Sequence, residues 1–488
     1  MDSPKNFFVC FVFFVAEFVL SAAALAQAAD PPPGVTATLS NVTRVEAWSY
    51  FRPRIDPIAL TAEPIGEPTY TFIADRAELG VRVEGPRFDL NGAFNYVRLE
   101  NLPSNAIGPG GLGPGAFYFA AVGVRFSYQL YLSELTLRVK TRDNSLSAVI
   151  GRMHYASGGE HVSTVPSLET VKRERLNSRL IGDFEWSLYQ RRFDGVRVDL
   201  DRPTWRFTSS AFVATQGGYE ESANLSMLKV QIASMVLTQK SSAPREWQAF
   251  GHLYRDRRVS AAVVDNTFSN DRPVDVTIAA LGGSHAAVTA TGAGEIDTVV
   301  WVAGELGDWY GQPHRAASVA GELGHRWTRA PLRPWLRAGY LYASGDGDPN
   351  DNRHGTFFQM LPSSRKFALS AAYAQMNLSD VFVQVLAEPG RLKTRLDLHR
   401  VSLASAADLW YQGSGATSST GRYFGFAGRA AGGATALGTV LEGAVEVPIK
   451  KYWSLNAYAA TIRGGAVVKR MFAGTTLTTG YVENVIRF

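Results

Sequence analysis

Arginine and carboxylate side chains recur at two-residue spacing along this chain. Arg76, Arg82, Arg138, Arg197, Arg337 and Arg395 lie in segments that also hold Glu78, Glu84, Glu134, Asp199, Asp397, Glu442 and Glu446. A guanidinium stays charged at any accessible pH and presents a planar fork of donors, so it binds carboxylates or phosphates in bidentate fashion. Acids two residues along the same face, such as Asp199 beside Arg197, orient the fork and keep an anion from binding too tightly to leave. The chemistry this set offers is recognition of a passing anion. The plainer alternative is a solvated wall of salt-bridged ladders.

Other constellations offer less. Asp346, Asp348, Asn350 and Asp351 supply oxygen ligands of the kind a hard cation such as Ca2+ requires. Their loop lacks the mid-loop Gly and terminal Glu of a calcium-binding helix-loop-helix, so an acidic extracellular loop is the alternative. His154, His161, His314, His325, His354 and His399 show no H-E-x-x-H or His-x-His spacing, and no zinc site is expected. The Gly/Pro-rich run 108–115 holds no Lys to cradle a phosphate. No G-x-S-x-G elbow occurs, and Gly413-Ser414-Gly415 has no acidic or histidine partner nearby in sequence. No catalytic residue is expected, and no cofactor beyond a Ca2+ in that one loop.

The elements that must position the charged residues are strands. In Arg76-Ala77-Glu78-Leu79-Gly80-Val81-Arg82-Val83-Glu84 every even position is charged or Gly and every odd one apolar. Tyr131 to Lys140, Val196 to Asp201, Arg395 to His399 and Val440 to Ile449 repeat the alternation. Successive strand side chains point to opposite faces, so each strand has one apolar and one charged face. A soluble sandwich also alternates, but its strands are usually about five or six residues long, and many of these are longer.

Turn signals resolve eighteen strands. Short turns fall at Glu84-Gly85-Pro86, Arg142-Asp143-Asn144, Asp201-Arg202-Pro203, Lys240 to Pro244, Thr289 to Gly294, Thr328 to Pro331, Glu388-Pro389-Gly390 and Lys450-Lys451. Long loops alternate with them, including Ala156 to Arg192, Tyr310 to His314 and Gly345 to Gln375. The fold expected is all-β: a single antiparallel transmembrane β-barrel over residues 44–488, with short periplasmic turns and long extracellular loops. Asn484, in an outward slot of the last strand, departs from the pattern. In lipid every backbone group must pair within the protein, so apolar faces point outward and charged faces line the lumen.

Composition agrees. Hydrophobic residues make up 46% of 488 and charged residues 19%, which excludes disorder. The single cysteine, Cys10, lies in an N-terminal apolar run from Phe7 to Leu20 that ends Ala26-Gln27-Ala28. Residues 1–28 therefore read as a cleaved signal peptide, with an uncleaved anchor helix as the alternative, and 29–43 as a periplasmic segment. Removing Lys5, Asp2 and Glu17 changes the net charge from +5 to +6. That balance and the export signal exclude a nucleic-acid partner.

Ile181-Gly182-Asp183-Phe184-Glu185-Trp186, followed by Arg192-Phe193-Asp194-Gly195-Val196-Arg197, resembles the alginate-export family of outer-membrane barrels. So do Gly339-Tyr340-Leu341-Tyr342-Ala343-Ser344-Gly345-Asp346, Gly355-Thr356-Phe357-Phe358-Gln359 and Asp408-Leu409-Trp410-Tyr411. The resemblance implies a Gram-negative outer-membrane location, an electropositive arginine-lined pore and passive export of an anionic polysaccharide. Expected partners are outer-membrane lipid, lipopolysaccharide and periplasmic export components. Residues alone leave three classes open: a channel for export or uptake of a polymer or small solute, an outer-membrane enzyme, and a structural or adhesive barrel. In the last, Ala156 to Arg192 and Gly345 to Gln375 would fold inward as a plug.

Overall fold

The structure, a computed structural model, describes residues 34–52, 67–108, 110–111, 113–185, 187–218, 225–241, 243–261, 263–267, 269–270, 273–363, 373–411, 420–421 and 428–488. The signal peptide, Trp186 and Gly413-Ser414-Gly415 lie outside these residues. Eighteen antiparallel strands form one sheet. They are β1 Val35–Ser49, β2 Thr69–Glu84, β3 Phe88–Glu100, β4 Ser127–Lys140, β5 Leu146–Met153, β6 Phe193–Asp201, β7 Trp205–Thr215, β8 Ser226–Gln239 and β9 Arg245–Asp256. After them come β10 Val276–Thr291, β11 Gly294–Trp309, β12 Gln312–Arg326, β13 Trp335–Ala343, β14 Leu378–Ala387, β15 Lys393–Ser402, β16 Ala436–Lys450, β17 Trp453–Gly464 and β18 Thr476–Arg487.

Each strand pairs with its sequence neighbours, and β1 pairs with β18 from Ser40↔Arg487 to Ser49↔Thr478. That last ladder closes the cylinder and leaves the sheet no free edge, as lipid demands. Arg44 of β1 bonds Glu483 of β18 at 2.7 Å across it. Leu79, Val81, Leu137, Val198 and Leu398 are exposed large apolar side chains, which is the inverse of a soluble protein and the requirement of an acyl-chain solvent. The charged face of each strand turns inward.

Two expectations need correction. β1 starts at Val35, before Arg44, so the periplasmic segment expected over 29–43 is mostly strand. Thr36, Thr38 and Ser40 occupy its inward slots; they are polar but uncharged, so no charge alternation advertises them. Tyr310 to His314 is not a long loop. Trp309 pairs directly with Gln312, and only Tyr310 and Gly311 turn the chain, with φ of 56° and 86°. Two left-handed residues match the twist of flanking strands, and Gly takes one of them without strain.

One inserted residue shifts the pattern in β4. The register to β3 jumps between Ala93↔Glu134 and Phe94↔Leu132, leaving Ser133 as a bulge whose hydroxyl donates to the Ala93 carbonyl at 3.1 Å. Outward residues are odd-numbered on one side of it (Leu135, Leu137) and even-numbered on the other (Leu130, Tyr128).

Asn484 does face outward, and its Oδ1 accepts from the Trp453 indole at 2.7 Å. Trp453 opens β17 beside Tyr452, which stacks on Phe488 at 5.0 Å. These rings form part of an interfacial aromatic girdle, where an amide with a partner is tolerated.

Candidate functional site

The lumen is not an open pipe. Residues 154–192, between β5 and β6, enter it and carry a helix, α2, over Pro166–Arg175. (A shorter-loop helix, α1, spans Pro114–Val122 between β3 and β4.) Pro166 sits at the first turn of α2, Glu169 complements its N-terminal dipole, and Lys172, Arg173 and Arg175 complement the other end. Leu168, Val171, Lys172 and Arg175 are buried; their spacing puts them on one face of the helix. That face packs against the inner wall at β10 and β11.

Charge fixes α2 there. Glu322, inward on β12, accepts from Arg175 at 2.7 Å and from Arg179 at 3.0 Å. Arg337 of β13 reaches the same carboxylate at 3.0 Å and Asp297 of β11 at 2.9 Å. At the other end Lys172 meets Glu246 of β9 at 2.8 Å, and His161 meets it at 2.6 Å. All these Arg, Lys, Asp and Glu side chains are buried. Cation–π contacts add to this: the Arg175 guanidinium lies 4.6 Å over the Phe382 ring, and that of Arg179 5.4 Å over Trp301.

A second segment, between β13 and β14, comes inward to meet the first. Gly182 N donates to Leu361 O and Leu361 N to Leu180 O, both at 2.8 Å. Gln359 donates to Arg179 O at 3.0 Å, and Arg191 to Leu361 O at 3.0 Å. The loops leave the barrel eight strands apart in a ring of eighteen, so they start from nearly opposite walls and join across the lumen. Gly182 is required at the seam, because a Cβ there falls 2.6 Å from Ser178 Cβ and 2.7 Å from Ser363 Oγ.

The second loop is organised by Asp408. Its carboxylate accepts from Asp346 N at 2.8 Å, Thr356 Oγ1 at 2.6 Å and Tyr411 OH at 2.9 Å. Three of the sequence segments that resemble the export family thus converge on one residue. The Ca2+ candidates Asp346, Asp348 and Asp351 each accept through one oxygen from a backbone amide, at Asp348 N, Asn350 N and Arg353 N. Burial raises the Asp346 carboxyl to about 6.

The expected pore residues all lie on inward slots, but they are not gathered into one ring. Arg337 is sealed beneath α2, and Asp199, Asp397 and Glu442 are buried. Arg395 is paired with Asp397 at 2.5 Å, and Arg82 contacts Glu84 at 2.6 Å. Glu78 lies 3.9 Å from Arg192, and Glu134 3.9 Å from His154. Arg76 is partly buried on β2, two slots from Glu78.

The accessible cluster spans the wall from β3 to β8. Arg138 and Lys140 share Asp89, at 3.5 and 2.6 Å. Arg197 and Arg206 share Asp199, each at 2.9 Å. Arg206 also reaches Asp201 at 3.4 Å, and Lys240 contacts Asp201. With Glu134, also inward on β4, five cations against four carboxylates leave this wall positive. Arg138 and Arg197 keep 28% and 27% of their side-chain surface, enough for a solute to touch them.

Sequence reasoning missed Arg175, Arg179, Glu322 and Asp297. The helical spacing of Leu168, Val171, Lys172 and Arg175 after Pro166 was the readable signal.

A family model described as Alginate export matches residues 171–475. Comparison with curated sequences gives no match. Among solved structures the chain is similar to OccK2 (OpdF) of Pseudomonas aeruginosa, with a TM-score of 0.56 and 8% identity over 93% of this chain and 97% of that one. OccK2 (OpdF) has also been solved in complex with glucuronate. OccAB3 of Acinetobacter baumannii aligns with a TM-score of 0.53 and 10% identity, over 93% of this chain and 98% of that one. At such identity these structures speak for the fold. The family match covers most of the chain, including the later part of the first inward loop, the whole of the second and strands β6 to β17. The protein belongs to the alginate-export family and is a β-barrel channel of the Gram-negative outer membrane.

Proposed function

We propose that the protein conducts an anionic solute, and that the basic wall of Arg138, Lys140, Arg197, Arg206 and Lys240 is where that solute is guided. The observation that carries this reading is the excess of cations over Asp89, Glu134, Asp199 and Asp201 on neighbouring strands, with two guanidinium groups open to the lumen. An acidic polysaccharide is the solute class that family membership favours. The uronate bound by the OccK2 barrel supports the same carboxylate chemistry.

The test is the reversal potential of purified protein in a planar bilayer under a salt gradient. Wild type prefers anions, and Arg138→Glu with Arg197→Glu reverses the preference, since both sites face water and folding is spared. Cation preference in the wild type, or indifference to the double substitution, overturns it.

The seam between Ile181 and Leu361 favours a second reading, a channel for small carboxylates. A loop bridge across the lumen suits a monomer better than a polymer. Flux of monomeric uronate, with blockage by oligomers, supports the small-solute reading; oligomer flux supports the polymer.

A further inference from the structure

Asp397, His399 and Glu442 form a cluster that the channel reading leaves unused. Asp397 of β15 pairs directly with Glu442 of β16 in the ladder, and His399 is the next inward residue along β15. One ligand atom from each lies within 4.8 Å of the others. The three residues are 0%, 1% and 1% exposed. Asp397 Oδ1 and His399 Nε2 are buried and make no hydrogen bond among the described residues. Buried polar atoms without partners are costly, and each asks for an explanation.

The surroundings supply one. Asp380 of β14 holds His399 Nδ1 at 2.9 Å. A carboxylate on Nδ1 places the ring proton there and leaves Nε2 with a lone pair to give a metal, which is how metal-binding histidines are oriented. Tyr458 OH donates to Glu442 at 3.2 Å and steadies the third ligand. Charge points the same way. Asp380, Asp397 and Glu442 bring three negative charges, and Arg395, bonded to Asp397, returns one.

We propose that Asp397, His399 and Glu442 bind one zinc-like divalent transition ion on the lumen wall. One imidazole and two carboxylates suit such an ion better than Ca2+ or Mg2+, which take oxygen ligands. Zn–N and Zn–O bonds of about 2.0–2.2 Å put ligand atoms roughly 3.5 Å apart, so small side-chain rotations close the site. Short-range spacing did not reveal it, because the ligands come from two strands more than forty residues apart.

The test is titration of untagged, detergent-solubilised protein with Zn2+ by calorimetry and with Co2+ by visible absorption. The result expected is one ion per chain, lost in His399→Gln and in Glu442→Gln, and weakened about 10–100-fold in Asp380→Asn. His314→Gln is the control, because His314 and His354 spend their Nδ1 atoms on each other at 2.8 Å; this variant keeps full binding. Heat-modifiable migration on gels confirms that each variant is folded. Absence of stoichiometric binding in wild type overturns the proposal. So does binding that survives in folded His399→Gln and Glu442→Gln, or binding that His314→Gln abolishes.

Discussion

Arg175 and Glu322 lie 147 residues apart in sequence and meet at 2.7 Å inside the barrel, one on an inward helix and the other on the wall. Arg179 and Arg337 share that carboxylate. Removing it strands Arg175 and Arg179 in a buried place and leaves Arg337 with Asp297 alone, and breaking a buried pair costs about 3–5 kcal/mol. Glu322→Gln therefore releases α2 from the wall while the barrel stays closed. Single-channel conductance rises, and trypsin cuts near Arg173 and Arg175 faster than in wild type. Unchanged conductance and cleavage would show that the helix is held by packing instead.

The same loop carries a pH response. Glu160 is pushed up from an ordinary value of 4.5 to about 7, chiefly by burial, although Tyr155 OH and Gly158 N each donate to it at 2.9 Å. The folded-in loop thus binds a proton that the released loop gives up more readily. Its contribution is fully present below about pH 4.5 and is lost as pH rises through 7. The full swing is on the order of 3 kcal/mol. Conductance should increase from pH 5 to pH 8 as the loop loosens, and Glu160→Gln should flatten that profile at its low-pH level. A profile that Glu160→Gln leaves untouched assigns the response elsewhere.

Val81 and Val198 are 46% and 42% exposed on outward slots. An arginine near the bilayer midplane costs a barrel roughly 2–4 kcal/mol. Val81→Arg and Val198→Arg should each lower the urea midpoint for unfolding from vesicles, whereas Arg82→Val, on the opposite face, should not. Equal behaviour of the neighbours Val81 and Arg82 would mean that the faces are misassigned.

Trp453→Phe deletes the donor to Asn484 and leaves an amide oxygen unpaired against lipid, a loss of about 1–3 kcal/mol. Asn484→Leu in the same background should recover most of it, because both polar groups are then gone. A double-mutant cycle by equilibrium unfolding reads the coupling; additive losses would show that the bond carries no energy.

The barrel was legible because alternation is local: Arg76 to Glu84 and Val196 to Asp201 announce their two faces without reference to any other strand. The eight short turns were equally legible, seven from their Gly, Pro, Asn and Asp residues and one from the pair Lys450-Lys451. Positions that depend on distant partners were not. Arg337 reads as a lumen arginine from its slot on β13, yet α2 arrives over it from the other side of the sequence and seals it. The tie between Asp346 N and Asp408, 62 residues away, likewise has no local signal in the sequence. Thr36 and Thr38 are silent because polar uncharged residues give alternation no contrast.

Closure of the cylinder by β1 and β18 sets an order of events. Arg44 and Glu483 are 439 positions apart, so the first strand has no permanent neighbour on one side until the last has emerged and arrived. Contacts of such separation form slowly and expose unpaired edges meanwhile. Until then the sheet keeps two unpaired edges, β1 on one side and the newest strand on the other. Closure is thus a late contact, completed when residues 478–487 of β18 pair with β1.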